Sequence, residues 1–505
     1  MIKAQKIGIN TVSNIVTKLW SLLSIFLFVP LYISILGEAS YGLVSVFSTL
    51  QATLNILGIG LANTLGREFA LGEPSEENNS RKYKLLRSTE LLYIAICLAI
   101  CAICFFGSDF IANDWLNIEM LDPKTVSTVI ALMGISISLQ LVGHLYFGCL
   151  LGLEHQVLAN SFCVSWSALK SIGALLIIWL ISPDLILFYS WHIVTDILYI
   201  IALRISIRKK CPCRSKWVLS DFKNLKSIWR YTLGILIISI VALFNRQFDK
   251  LIISNQLTIT DVGAYNVVTT LGSLTAIIPS AVYTSVFPKF AAYASTDQGE
   301  ALGDFFVKSN KLVNLILLCM GSFIAVYAVP LVYVWTGSVI YKEILGVAGT
   351  LVVLAVMFSE IQEIPYALAL AHGNTKINVF VGLCFLPIVC VSTLIGVTKW
   401  GLLGAAVVYL LMMLSQSVLY VVLVCKRYAP EYLLKAIFLD MLLPFLLCFS
   451  VAVLSYFVVV KLTGNPWLQV ALAILSGAVT LALVLYVFMK NEIKNIINRR
   501  KTNHG

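Results

Sequence analysis

The sequence predicts an all-α integral membrane protein of about fourteen transmembrane helices. Two parallel-repeat six-helix lobes would surround a central cavity, with two extra helices at the C-terminus. Three observations predict this. The 505 residues are 59% apolar and only 12% charged, whereas soluble domains carry about 25% charged residues. Apolar runs of about 20 residues, the length that spans a bilayer, recur along the whole chain. Two pairs of similar segments lie six helices apart.

Taken in order, helices are expected at 8–36, 42–66, 88–106, 125–151, 156–181, 184–207, 230–255, 262–288, 309–336, 345–371, 376–398, 401–424, 434–460 and 467–489. The start, MIKAQKIGIN, has the charge of a signal n-region. The apolar stretch after it is too long for an h-region and no A-x-A site follows, so it reads as an uncleaved first span. The N-terminus, alternate loops and the C-terminal tail hold most of the 36 Lys and Arg, in runs such as SRKYKLLR, RISIRKKCPCRSKW, CKRY and KNEIKNIINRRK. The opposite loops hold only Lys124, Lys342, Lys399 and Lys461. The positive-inside rule then places both termini in the cytoplasm. The net charge of +11 therefore follows membrane orientation, and nucleic acid is not an expected partner.

The repeat sets the domain boundaries. LYISILGEASYGLVSVFSTL (31–50) resembles LIISNQLTITDVGAYNVVTTL (251–271), and LLGLEHQVLAN (150–160) echoes LALAHGNTKIN (368–378). An even number of helices separates the copies, so both run the same way through the membrane, related by an axis along its normal. The expected parts are an N-lobe over 1–207, a basic cytoplasmic linker over 208–229, a C-lobe over 230–424, and helices 13 and 14 with a basic tail over 425–505. WVLSDFKNLKSIW, at the end of the linker, reads as an interfacial amphipathic helix.

Most of the twelve cysteines lie inside apolar runs, and Cys97, Cys101 and Cys104 share a helix face as packing residues. Cys211 and Cys213 are too small a set for zinc, and no disulfide framework is indicated. His144 and His192 read as packed polar groups.

Polar residues are concentrated on four helices. The first carries Asn10, Asn14, Thr17, Lys18, Ser21 and Ser24 on one face, and the eighth carries Asn266, Thr269, Thr270, Ser273, Ser280 and Thr284. The second has Ser45, Ser48, Gln51 and Asn55, and the seventh has Ser239, Asn245, Arg246 and Asp249. A polar face in a membrane must meet protein or water. These faces either line a wet cavity, with Asn14, Ser21, Asn55, Asn266, Thr270 and Ser273 in its wall, or serve as glue between helices.

Seven ionisable residues fall within spans: Lys18, Lys170, Asp196, Arg246, Asp249, Glu360 and Glu363. Facing lipid, each would cost about 3 kcal/mol and all of them roughly 20 kcal/mol, beyond a typical stability of about 5–15 kcal/mol. They must point inward, pair or change protonation state. Lys170 and Asp196 lie at similar depth on neighbouring helices and read as a structural ion pair. Glu360 and Glu363 share a helix face just before Pro365. Two nearby carboxylates raise one another's pKa, which suits proton or sodium coupling; a hydrogen-bonded pair at a proline kink is the alternative. Lys18, Arg246 and Lys250, with Asp249 as a local partner, give the expected cavity helices fixed positive charge. That charge favours an anion, and Arg matches phosphate geometry.

FLFVPLYISILGEASYGLVSVFSTL, GIGLANTLGREFA and FDKLIISNQLTITDVGAYNVVTTLGSLTAIIPSAVYTSVFPKFA resemble polysaccharide transporters of the MOP exporter superfamily, especially O-antigen flippases. The likeness runs through essentially the whole chain. It implies two six-helix lobes that open alternately to each side of a bacterial cytoplasmic (inner) membrane. The implied cargo is an undecaprenyl-pyrophosphate-linked oligosaccharide, moved to the outer leaflet for surface polysaccharide synthesis. Expected partners are that lipid-linked substrate, membrane lipids and polysaccharide polymerase or assembly proteins. No cofactor is expected beyond H+ or Na+ coupling, or the membrane potential. Related lipid II flippases carry cavity arginines in their first helices; here the first helix has Lys18, and arginine stands at 246, which argues against lipid II.

A cation-coupled multidrug exporter of the same superfamily is the rival. Such exporters have about twelve helices and favour acidic cavities, whereas this chain offers Lys18 and Arg246. A membrane-embedded polymerase would need catalytic groups in a sizeable loop. The largest external loop, GSDFIANDWLNIEMLDPK, has no candidate nucleophile or metal cluster, so an enzyme is not expected.

Overall fold

The computed structural model describes residues 2–70, 75–118, 121–211, 244–245, 247–296 and 299–490. Six long helices come first: α1 (Ile2–Leu36), α2 (Glu38–Ala70), α3 (Glu76–Phe110), α4 (Pro123–Gly152), α5 (Gln156–Leu180) and α6 (Leu185–Lys210). After them come α7 (247–256), α8 (Ile259–Ser295), α9 (Gly299–Val326), α10 (Ala328–Thr336), α11 (Val339–Glu360) and α12 (Glu363–Ala371). The last are α13 (376–400), α14 (402–428), α15 (Leu443–Leu462) and α16 (Pro466–Phe488). The basic segment after Cys211, Arg246 and the side chain of Asn55 lie outside the described residues.

Helix starts are marked by side chains that satisfy the first orphan N–H groups. Ser75 caps α3, Asp184 caps α6, Ser338 caps α11, and Asn465 precedes Pro466 at the start of α16. Asp122 accepts from the Thr125 N–H and hydroxyl, both at 2.9 Å, which holds its carboxyl below the usual range. Thr258 and Asp261 bond each other's backbone N–H groups at the start of α8, a reciprocal cap.

Prolines mark several of the helix breaks, although Pro30, Pro288 and Pro387 lie inside continuous helices. A proline supplies no N–H to the carbonyl four residues earlier and crowds it. Pro279 faces Thr275, and α8 tightens to a 3-10 turn over Ser273–Ala276. Pro330 faces Val326, where α9 ends; a continuous helix over 309–336 is thus replaced by α9 and α10. Pro444 faces Asp440, inside the π turn Lys435–Leu442 that precedes α15.

Eleven helices among the described residues are long and apolar enough to cross a membrane, against about fourteen expected. Helix α2 has the length, at 33 residues, but its side chains over 54–64 lie outside the described residues. Most of the expected seventh span lies outside the described residues. The continuous helical stretch Lys376–Tyr428 contains non-helical Gly401 (φ 58°, ψ −137°). Gly396 and Gly404 would stand about 12 Å apart on a continuous helix. Instead a Cβ built on Gly404 would sit 1.9 Å from the Gly396 carbonyl oxygen. The chain doubles back at Gly401, and α13 and α14 form a hairpin.

The chain divides into two compact units, Met1–Gly263 and Ala264–Gly505. In the first, α4 packs against α2, α3, α5 and α6, and α1 lies on α5. In the second, α9 packs against α8, α11, α15 and α16, while α11 packs against the α13–α14 hairpin. Leu315, Cys319 and Phe323 of α9, with Tyr327 just after it, bury Cys448, Ala452, Ala473 and Val484 of α15 and α16. A hydroxyl chain from Tyr327 through Ser455 to Ser476, at 2.9 and 3.0 Å, ties the same three helices.

The repeated segments close on the same hydrogen bonds. After α4, the N–H groups of Leu153, Glu154 and His155 donate to Cys149, Leu151 and Leu150. After α12, those of His372, Gly373 and Asn374 donate to Leu368, Leu370 and Ala369. Glu154 (φ 59°) and Gly373 (φ 68°) take the left-handed conformation that such a helix end requires.

Helices α2 and α4 approach through glycine: a Cβ on Gly152 would lie 2.1 Å from the Gly66 carbonyl oxygen. Close backbone contact of this kind holds membrane helices together. Gly152→Leu is therefore expected to destabilise the protein by about 1–3 kcal/mol through overpacking, read as an earlier unfolding midpoint in detergent. Gly464→Leu, which meets open space, should leave the midpoint in place.

Candidate functional site

Asp196 of α6 is 1% exposed and Lys170 of α5 is 8% exposed. A carboxylate that deep survives only with donors around it. Lys170 Nζ lies 3.1 Å from Asp196 Oδ1 and 3.4 Å from Oδ2. Trp166 Nε1, one turn before Lys170, donates to Oδ1 at 3.0 Å. From α4, Ser136 Oγ donates to Oδ2 at 2.6 Å, and Gln140 Nε2 reaches the same oxygen at 3.3 Å. Gln51 of α2 donates to the Gln140 carbonyl oxygen. The Lys170 ammonium also sits 5.0 Å from the centre of the Trp166 ring, which stacks on Tyr199. One carboxylate thus ties α2, α4, α5 and α6.

The polar face of α1 meets α5. Asn160 Nδ2 donates to Asn14 Oδ1 at 2.7 Å and to Ser13 Oγ at 3.0 Å, and Gln156 Nε2 donates to Asn14 Oδ1 at 2.9 Å. Ser21 turns its hydroxyl onto the Thr17 carbonyl at 2.9 Å. In α8, Thr270 bonds the Asn266 carbonyl at 2.7 Å and Ser273 bonds that of Thr270 at 2.6 Å. These bonds engage the hydroxyl donors. Lys18 is exposed on α1, four residues from Asn14 and three from Ser21, on the same face.

Asp249 and Lys250 belong to α7, as the expected seventh helix places them. Asp249 is buried and Lys250 half-buried. The end of α7 is held by the loop after α3: Trp115 Nε1 donates to Ser254 Oγ at 3.4 Å, and Asn255 Nδ2 to the Trp115 carbonyl at 3.2 Å. Arg246, the neighbouring cation, lies outside the described residues.

Glu360 and Glu363 do not share one uninterrupted helix face. Pro365 leaves the Ile361 carbonyl without its helical donor, and α11 ends at Glu360 while α12 begins at Glu363. The Ile361 N–H bonds Phe358 instead, three residues back, at 3.3 Å. Both carboxylates are half-buried at this break, and Ser359 Oγ lies 3.4 Å from Glu360 Oε1. Tyr283 of α8 stacks on Tyr366 beside it. Among the described residues no group of three His, Cys, Asp or Glu side chains could hold a metal ion.

Sequence reasoning paired Lys170 with Asp196 and missed the other donors. Their signal was present: Ser136 and Gln140 are four apart on α4, and Trp166 is four before Lys170. It also missed Glu90 of α3, a buried carboxylate that accepts from Tyr146 Oη at 2.6 Å. No spacing rule joins residues so far apart in the chain.

Membrane-spanning helices with apolar outer faces and carboxylates held inside by donors from several helices define an integral membrane protein. Its fold is that of the MOP-superfamily transporters. Aligned on the lipid II flippase MurJ in an inward closed conformation, it gives a TM-score of 0.71 at 14% identity, over 96% of this chain and 99% of that one. An inward-facing multidrug resistance MATE family transporter gives 0.64 at 14% identity, over 82% and 95%. In sequence, the profile of the polysaccharide biosynthesis protein family matches residues 4–294, and the chain belongs to that family. It is 23% identical to a putative O-antigen transporter of Shigella flexneri over 377 residues, 74% of this chain and 86% of that protein.

Removing one partner of a buried ion pair costs more than removing both. Lys170→Met should destabilise by about 3–5 kcal/mol, and adding Asp196→Leu should recover part of that loss. Unfolding of the purified variants measures both; equal midpoints for the single and double variants would contradict the pairing.

Proposed function

We propose that the protein is a flippase. It carries a lipid-linked oligosaccharide, with undecaprenyl pyrophosphate as the carrier, from the cytoplasmic to the outer leaflet of the bacterial inner membrane by alternating access. The observation that carries this reading is membership of the polysaccharide biosynthesis protein family, to which the likeness to an O-antigen transporter adds. Lys18, Arg246 and Lys250 bind the pyrophosphate, and Asp249 orients the cations next to it. The exposed Lys18 on the Asn14 and Ser21 face of α1 supports this assignment. A guanidinium and an ammonium suit a phosphate anion far better than a cationic drug, which sets this reading above multidrug export.

Energy enters through H+ or Na+ at Glu360 and Glu363, or through the membrane potential acting on the anionic cargo. The half-buried carboxylates at the break between α11 and α12 support the first route. Both termini face the cytoplasm, as the distribution of Lys and Arg supports. Polymerase and assembly proteins would take over the flipped product.

A strain lacking the gene should accumulate lipid-linked repeat units on the cytoplasmic side of its membrane. Plasmid-borne Lys18→Ala or Arg246→Ala should fail to restore surface polysaccharide at unchanged protein levels. Full complementation by both variants would remove the cationic site, and normal polysaccharide with drug sensitivity in the deletion strain would remove the flippase reading.

A further inference from the structure

The end of the first unit where α3 begins and α6 ends carries a second concentration of cations. Arg81, Lys84 and Arg87 are exposed on α3, and Arg204, Arg208, Lys209 and Lys210 on α6. Both helices pack on α4, and Cys211 Sγ donates to Asn79 Oδ1 at 3.3 Å between their ends. At the centre is Glu90, with a side chain only 8% exposed. Its Oε1 accepts from Tyr146 at 2.6 Å, and its Oε2 lies 2.9 Å from Arg87 Nη1 and 3.6 Å from Arg204 Nη2. Two guanidinium groups therefore converge on one carboxylate oxygen, and the cluster keeps a net positive charge. Their side chains remain 48% and 56% exposed. A guanidinium has five N–H donors, so contact with Glu90 leaves most of them directed outward.

What lies beside the cations identifies the occupant. On α3, exposed Leu91 (43%), Ile94 (50%) and Leu98 (65%) continue the face of Arg87 at spacings of three and four. On α6, exposed Val194, Ile197 and Ile201 lead to Arg204 in the same way. Nineteen residues from Leu185 to Arg204 rise about 28 Å, close to a hydrocarbon core of about 30 Å. The arginines thus stand at headgroup depth above two lipid-facing apolar stripes.

We propose that Arg87 and Arg204 bind the phosphate of an anionic membrane phospholipid whose two acyl chains lie along α3 and α6. Glu90, anchored by Tyr146, is the positioning residue that sets the two forks side by side. A polyprenyl carrier offers the same phosphate chemistry on a single chain; two separate stripes suit a diacyl lipid. Basic sites between membrane helices hold anionic headgroups by this combination of charge and apolar contact.

The full-length protein in detergent, titrated with phosphatidylglycerol, phosphatidylcholine or undecaprenyl phosphate under native mass spectrometry, tests the site. Wild type should retain phosphatidylglycerol in preference to phosphatidylcholine. With each surface cation worth about a factor of five, Arg87→Gln/Arg204→Gln should bind phosphatidylglycerol roughly 30-fold more weakly. Arg87→Lys/Arg204→Lys keeps the charge and should retain most of the preference, which separates lost binding from lost folding. Equal retention of the two phospholipids by wild type, or undiminished retention by the Gln variant, would overturn the site. Retention of undecaprenyl phosphate in place of phosphatidylglycerol would overturn the choice of a membrane phospholipid.

Discussion

A carboxylate buried among apolar helices must collect donors or it cannot stay charged there. Asp196 collects them from Ser136, Gln140, Trp166 and Lys170, and Gln51 holds Gln140 in turn. Apolar contacts between membrane helices do not specify register, because lipid is an equally good apolar neighbour. A hydrogen-bonded carboxylate does specify it: each donor fixes the height and rotation of its helix. Helices α4, α5 and α6 reach Asp196 directly and α2 reaches it through Gln140, while Asn160 and Gln156 of α5 bond Asn14 of α1.

The second unit is organised by the absence of donors. Pro279, Pro330, Pro365 and Pro444 each withdraw an N–H from an earlier carbonyl, and each sits four residues after a turn, a helix end or a π segment. In a bilayer, carbonyls freed in this way must find donors within the protein. Glu360 and Glu363 stand at such a break.

The fold class was legible because length, hydropathy and charge alternation are properties of the chain itself. The Lys170–Asp196 pair was legible because two opposite charges at one depth have few other solutions. The doubling back at Gly401 was half legible, as a boundary between two expected spans. The helix count was less so: proline breaks divide segments that composition runs together, as at Val326. Asn14 illustrates a different limit. Its polar face was visible, but whether such a face meets water or Asn160 depends on which helix lies opposite, and no local pattern encodes that.

The turns after α4 and α12 close on the same three backbone bonds, although one places Glu154 and the other Gly373 in the left-handed position. Because main-chain atoms alone make those bonds, the angle at which the next helix departs, and the face it turns inward, do not depend on the side chains around the turn. Two such turns can then carry different sequences and still close in the same way. Such a turn acts as an angular reference that tolerates a change of the side chains around it.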